Sequence, residues 1–180
     1  YVLVRGMTEL NEMPKFEYLS NINVFDYLNN LTEPLSYEKA FIYNNYSPNE
    51  NCDRMYFQPS NAKKIDAIRQ QIESWFLSDK LLESEYYYLL ASLISAVPYV
   101  ANIAGVYAAY LKHWDKRTYN KLEIKPLKII KSQYQCTSFN MDAIELCKKC
   151  EFDLVYIDTP YNQREYMPNY HILETIAKYD

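Results

Sequence analysis

The chain has 180 residues, 49% of them apolar and 23% charged, the balance of a folded protein and not of a disordered one. Its formal net charge of −4 argues against a general nucleic-acid binder, and only two glycines, Gly6 and Gly105, exclude a glycine-rich phosphate loop within these residues. The charge is uneven: between Lys112 and Lys131 six lysines and one arginine stand against Asp115 and Glu123, so this stretch carries +5 and leaves −9 on the rest. A basic segment on an acidic body is a local footprint for a polyanion, and a solvated charged face is the alternative.

Residues 1–13 read as a helix, and 34–59, rich in Asn, Pro and Tyr, as loops and short strands. Ala62, Ile65, Ile68, Ile72, Trp75 and Phe76 recur at steps of three and four. They predict an amphipathic helix capped by Ser60, with Lys63, Lys64, Arg69 and Glu73 on its other faces. Residues 86–111 carry no charge, yet they include six tyrosines, Ser92, Ser95, Asn102 and Pro98. That composition predicts two buried helices meeting near Pro98 and no membrane span. Alternation of Leu122, Ile124, Leu127 and Ile129 with Glu and Lys predicts a hairpin over 121–130, with Pro126 at its turn or edge.

The last third changes character. A strand over 133–139, a helix over 141–149 capped by Asn140, and the apolar run Phe152-Asp-Leu-Val-Tyr-Ile157 form one strand–helix–strand unit of a parallel α/β sheet. Asp158-Thr159-Pro160-Tyr161 follows at once, where such sheets bind ligands, beyond the carboxyl ends of the strands. A helix over 171–179 closes the chain, with His171 in its first turn. Cys147-Lys-Lys-Cys150 has a metal-like spacing without a second pair of ligands, so reduced thiols and no metal are expected.

Asp158-Thr-Pro-Tyr161 is close to the Asp-Pro-Pro-Tyr motif of amino-methyltransferases. With its flanks, Phe152 to Tyr166 and Asn169-Tyr-His-Ile-Leu-Glu-Thr-Ile-Ala177, it resembles the Dam-like adenine-specific DNA methyltransferases. Asn61-Ala-Lys-Lys-Ile-Asp-Ala-Ile-Arg69 and Gly105-Val-Tyr-Ala-Ala-Tyr-Leu-Lys112 also look like members of that class, so the resemblance covers most of the chain from about Phe41. It implies an α/β fold: a partial Rossmann-like methyltransferase domain with a mainly helical target-recognition insertion. The expected division is 1–34 as a remnant of the catalytic domain, 35–131 as the recognition segment and 132–180 as the catalytic α/β portion.

The chemistry is consistent. An adenine exocyclic amine is a poor nucleophile because its lone pair is delocalised into the ring. A carboxylate and a backbone carbonyl, each accepting one N–H, would hold the nitrogen closer to tetrahedral and stabilise its developing charge. The resemblance gives these roles to Asp158 and to the carbonyl of Thr159, makes Tyr161 the stacking partner of a flipped base, and includes Pro160 in the motif. The family has proline where this chain has Thr159; Pro160 still restricts residue 159 to extended conformations. S-adenosylmethionine is the implied methyl donor, with Asp158 and Asp142 as its contacts, although Asp142 also suits the first turn of a helix. The family's Phe-x-Gly-x-Gly cofactor loop would lie before Tyr1. The chain is therefore expected to be a fragment cut at both ends and inactive alone.

Double-stranded DNA is the implied partner. Lys112, Lys116 and Arg117 are expected at phosphates, Tyr107 and Asn120 near the DNA, and Asn162, Arg164 and Asn169 beside the flipped base or displaced strand. A cognate restriction endonuclease, a monomeric state and a cytoplasmic, DNA-associated location complete the expectation. A non-catalytic DNA-binding remnant and an RNA or protein methyltransferase are the competing readings.

Overall fold

Pro59 opens the longest helix of the computed structural model, which describes residues 1–158 and 166–179. The described residues form helices α1 (Val2–Thr8), α2 (Val24–Asn30), α3 (Phe41–Tyr46), α4 (Pro59–Leu77), α5 (Glu83–Ala96), α6 (Ala143–Lys149) and α7 (Tyr166–Lys178). Short 3-10 turns lie at Glu17–Leu19, Val97–Tyr99 and Lys116–Tyr119. Among the described residues there is no β-strand; Asn49 with Cys52 and Ile103 with Tyr110 form isolated bridges.

Helix α4 is buried on nearly every side, its polar face included. Ile65, Ile68 and Ile72 are fully enclosed, as expected, but so are Asn61, Lys64, Asp66, Arg69, Gln70 and Gln71. A buried polar group must be hydrogen-bonded or cost about 1–3 kcal/mol, and here each of these side chains reaches out to another segment. The Asp66 carboxylate accepts from the N–H groups of Ile42 and Tyr43 at the start of α3 and from the Tyr179 hydroxyl. Lys64 donates to Asn29 O at 2.6 Å, Gln70 holds the backbone of Ser36 from both sides, and Gln71 accepts from the Tyr27 hydroxyl. Lys64 and Arg69 therefore do not occupy a solvated face: they lie inside, with Arg69 2% exposed.

Burial pushes the Asp66 carboxyl up to about 6, against the pull of its three donors. Between that value and its ordinary one the folded chain binds a proton that the unfolded chain does not. This group's contribution to stability therefore grows as pH falls through that window.

One core joins these elements. Phe16, Leu28, Ile42, Ile65, Tyr88, Leu93, Leu122, Ile124, Ile172 and Ile176 belong to a single cluster. Helix α7, grouped by sequence with 132–180, thus packs into the same core as the segment before residue 131, whereas α6 contributes no buried residue.

Several elements differ from the sequence expectation. Ser60 lies inside α4; Gln58 is the N-cap, and Pro59 with its fixed φ takes the first turn. No second helix follows Pro98. The chain passes through the 3-10 turn into a loop organised by buried Asn102, which donates to Met55 O and Leu111 O and accepts from Asp115 N. Gly105, at φ +129°, supplies the turn at the loop's tip.

The hairpin over 121–130 is absent. Its first half runs extended, and two asparagines stand in for a partner strand. Asn61 accepts from Leu122 N and donates to Thr118 O and Asn120 O, while Asn29 accepts from Ile124 N and donates to Ile124 O. With these backbone groups satisfied by side-chain amides, no second strand is needed for them. Asp142, not Asn140, caps α6, accepting from Ile144 N and Glu145 N. The runs 133–139 and 152–157 form no strand; Leu154 is 88% and Ile157 75% exposed.

Helix α1 lies against α5 at Gly6. A Cβ added there would stand 2.6 Å from Ala91 Cβ and 3.0 Å from Tyr87 O. Helix propensity alone would favour alanine by roughly 1 kcal/mol. The contact predicts the opposite sign: Gly6→Ala should destabilise the chain by about 1–3 kcal/mol through overpacking, with partial recovery in Gly6→Ala/Ala91→Gly. Chemical denaturation of both variants checks this, and a more stable single variant would refute the close approach.

Candidate functional site

The Asp158 tetrapeptide begins at the end of an exposed run. Residues 151–158 are all exposed, Asp158 included, and the run offers Phe152, Leu154, Val155, Tyr156 and Ile157 to solvent. Such a row of large apolar side chains is the composition of a strand covered on both faces. Thr159, Pro160, Tyr161, Asn162 and Arg164 lie outside the described residues. Asp142 is exposed, and it accepts both of its cap hydrogen bonds at Oδ1.

The residues expected near DNA divide into two groups. Lys112, Lys116 and Asn120 are exposed on the segment that leaves the Asn102 loop. Tyr107 is buried and Arg117 half-buried, so neither is presented as Lys112 and Lys116 are. Tyr107 is 2% exposed; its N–H donates to Asn169 O at 2.8 Å, and its carbonyl accepts from the Tyr56 hydroxyl. Burial pushes the Tyr107 phenol far up, so it stays protonated. It anchors the loop whose exposed tip runs from Ala104 to Val106. Arg117 donates to Ile103 O and stands 3.7 Å from Asp115, whose carboxylate also accepts from Arg117 N. Arg117 therefore braces the loop's two ends. Asn169 enters through its carbonyl, at the start of α7.

A groove that sequence reasoning did not single out runs between α5 and the extended segment. It has a volume of about 470 Å³, and its lining includes Ser92, Tyr99, Lys121, Lys125 and Lys128. The reason for its charge is simple alternation. Leu122 and Ile124 point into the core at 0% and 1% exposure, so Lys121, Glu123 and Lys125 must point out. Tyr99, on the turn imposed by Pro98, is 75% exposed beside them. The alternation was legible in the sequence, but the opposite wall, the C-terminal half of α5 and its turn, was not. A basic groove edged by an exposed aromatic ring has the chemistry that meets a nucleic-acid backbone.

Among the described residues no group of three or more His, Cys, Asp or Glu side chains is placed to hold a metal ion, and the four cysteines are free thiols. No helix among them is long and apolar enough to cross a membrane.

The described part is a helical body carrying a basic edge, followed by an apolar run with no neighbouring strand, and comparison with known proteins shows the family. The family model described as D12 class N6 adenine-specific DNA methyltransferase matches residues 16–180, and the chain belongs to that family. It is 45% identical over 183 residues to the type II methyltransferase M.FokI of Planomicrobium okeanokoites, covering 100% of this chain and 28% of that protein. It is 45% identical to the modification methylase StsI of Streptococcus sanguinis, covering 99% of this chain and 27% of that protein. With the type II methyltransferase M.NlaIII of Neisseria lactamica it shares 35% identity over 94% of this chain and 54% of the relative. The chain thus spans between about a quarter and about half of these relatives. No solved structure matches it significantly.

The groove makes a quantitative prediction for the full-length protein. Replacing Lys121, Lys125 and Lys128 together by Gln should lower the slope of log affinity against log salt for duplex DNA by about 2–3, at roughly 0.9 per lost phosphate contact. Cognate and non-cognate duplexes should weaken alike. Filter-binding titrations across a salt series check this, and an unchanged slope would remove the groove from the interface.

Proposed function

We propose that the protein to which this chain belongs transfers a methyl group from S-adenosylmethionine to the exocyclic N6 of an adenine flipped out of double-stranded DNA. It does so as the modification enzyme of a restriction–modification pair, acting as a monomer in the cytoplasm. Family membership supports the reaction, and the names of the relatives support the setting. The observation that carries the reading is the exposed apolar run ending at Asp158: a strand composition with no neighbouring strand among the described residues, followed directly by the family-like tetrapeptide.

In this reading 152–157 is an inner strand of a parallel, Rossmann-like sheet completed by other parts of the protein. Burying Phe152, Leu154, Val155, Tyr156 and Ile157 in that sheet would recover roughly 1.5–3 kcal/mol for each aliphatic or phenyl side chain. Residues 35–131 form the body that recognises the target, and 132–158 lead to the transfer site.

The chain's own groups then act as follows. The Asp158 carboxylate accepts one N–H of the adenine amine, and the Thr159 carbonyl accepts the other. The two acceptors draw the nitrogen lone pair out of conjugation and stabilise the positive charge that grows on it. Tyr161 stacks on the everted ring, and Pro160 restricts the backbone of residue 159. Asn162, Arg164 and Asn169 lie along the displaced strand, while Lys112, Lys116 and Asn120 meet the duplex.

Bound S-adenosylmethionine supplies a methyl on a sulfonium sulfur, to which the bonding pair returns as the N–C bond forms. The amine's surplus proton passes to solvent. Of the described carboxylates, exposed Asp158 fits a contact to that donor. Asp142 fits only through Oδ2, since Oδ1 serves the α6 cap.

Asp158→Asn in the full-length protein replaces the charged acceptor by a neutral amide, and should cut methyl transfer on the order of 10²–10³-fold, with duplex binding largely intact. Radiolabel incorporation, with N6-methyladenine identified by mass spectrometry, checks this. Near-normal turnover in the variant, or label found only in RNA, would overturn the reading.

A further inference from the structure

The segment leading into Asp158 and the helix that follows the tetrapeptide are held very differently. Residues 151–158 are exposed throughout, whereas α7 is fixed to the recognition body at both ends and along its length. At its start the N–H of Tyr107 donates to Asn169 O at 2.8 Å. The His171 ring lies 5.6 Å from Tyr46 and 6.0 Å from Tyr56, which is edge-on to it. Tyr56 in turn donates to Tyr107 O and packs edge-on against Tyr110 at 5.1 Å.

Along the helix, Ile172 and Ile176 are fully buried. At its end buried Arg69 donates to Ile176 O at 2.9 Å and to Ala177 O at 3.4 Å, a cation on the last carbonyls where the helix dipole favours it. The Tyr179 hydroxyl then closes on Asp66.

We propose that α7 is a strut through which the recognition body sets the position of the transfer site, and that His171 is its positioning residue. The inference rests on the assignment of the transfer site to Asp158. Helix α7 starts eight residues after Asp158, and His171, in its second turn, packs the N-terminal half of the helix onto the recognition body. The aromatic wall it rests on, Tyr46 and Tyr56, is 8% and 6% exposed and belongs to the recognition body. Besides this wall, the ring meets Pro168 O through Nδ1 at 3.1 Å. The role differs from that of a base acting on the amine.

The test uses the full-length enzyme with S-adenosylmethionine and a cognate duplex. It measures the single-turnover rate at saturating DNA and, separately, the equilibrium affinity for DNA. His171→Ala should slow transfer on the order of 10–100-fold, the scale of a misplacement of about 1 Å, while affinity changes by less than about threefold. His171→Phe, which keeps an aromatic ring on the same wall, should restore most of the rate. If His171→Ala fails to fold, Tyr56→Phe removes a single hydroxyl and leaves the wall in place, and the same split between rate and affinity is expected. A rate within about twofold of the parent in these variants, or a rate and an affinity that fall together, would overturn the strut. Asp158→Asn run in parallel separates the two claims: if it transfers normally, the site assignment fails; if it is inactive while the His171 and Tyr56 variants are normal, only the strut fails.

Discussion

A helix with six buried polar side chains must satisfy all of them, and the described part of this protein is arranged around that requirement on α4. A polar group left unpaired inside costs about as much as a good hydrogen bond contributes. The α4 side chains therefore fix helix ends and the loops between them: Asn61 the run from 118 to 122, Lys64 the end of α2, Asp66 the start of α3, Gln70 the turn at Ser36, Gln71 the Tyr27 hydroxyl of α2, and Arg69 the end of α7. A helical body with long irregular connections can hold a defined shape in this way without a sheet.

The same constraint places the functional surfaces. Because Asn61 and Asn29 hold the extended run by its backbone, its side chains are free to alternate, leucine and isoleucine inward and lysine outward. The basic groove is the outer half of that alternation. At the other pole, Arg69 and Tyr107 fix α7, the helix that follows the tetrapeptide. In the proposed function this helix is where target recognition and the transfer site meet.

Much of this was legible in the residues. The period of Ile65, Ile68 and Ile72 gave α4, the apolar run and tetrapeptide gave the family, and the charge imbalance gave the basic edge. What could not be read were facts about partners. Lys64 and Arg69 look like surface charges until the carbonyls of Asn29 and Ile176 lie beside them. Nothing in the sequence around Tyr107 singles it out as buried. The hairpin failed because two distant asparagines supply hydrogen bonds that sequence pattern assigns to a neighbouring strand. The strands at 133–139 and 152–157 were drawn from composition, yet a strand also needs an adjacent strand, and among the described residues they have none.

Amide hydrogen exchange at Leu122 and Ile124, resolved by NMR, tests the central claim most directly. Both N–H groups are bonded to asparagine side chains on helices and not to a neighbouring strand. The account predicts protection at these two amides that approaches the global stability and disappears at Leu122 in an Asn61→Ala variant. Exchange as fast as that of an unstructured loop in the parent protein, or protection that survives the loss of the Asn61 side chain, would contradict it.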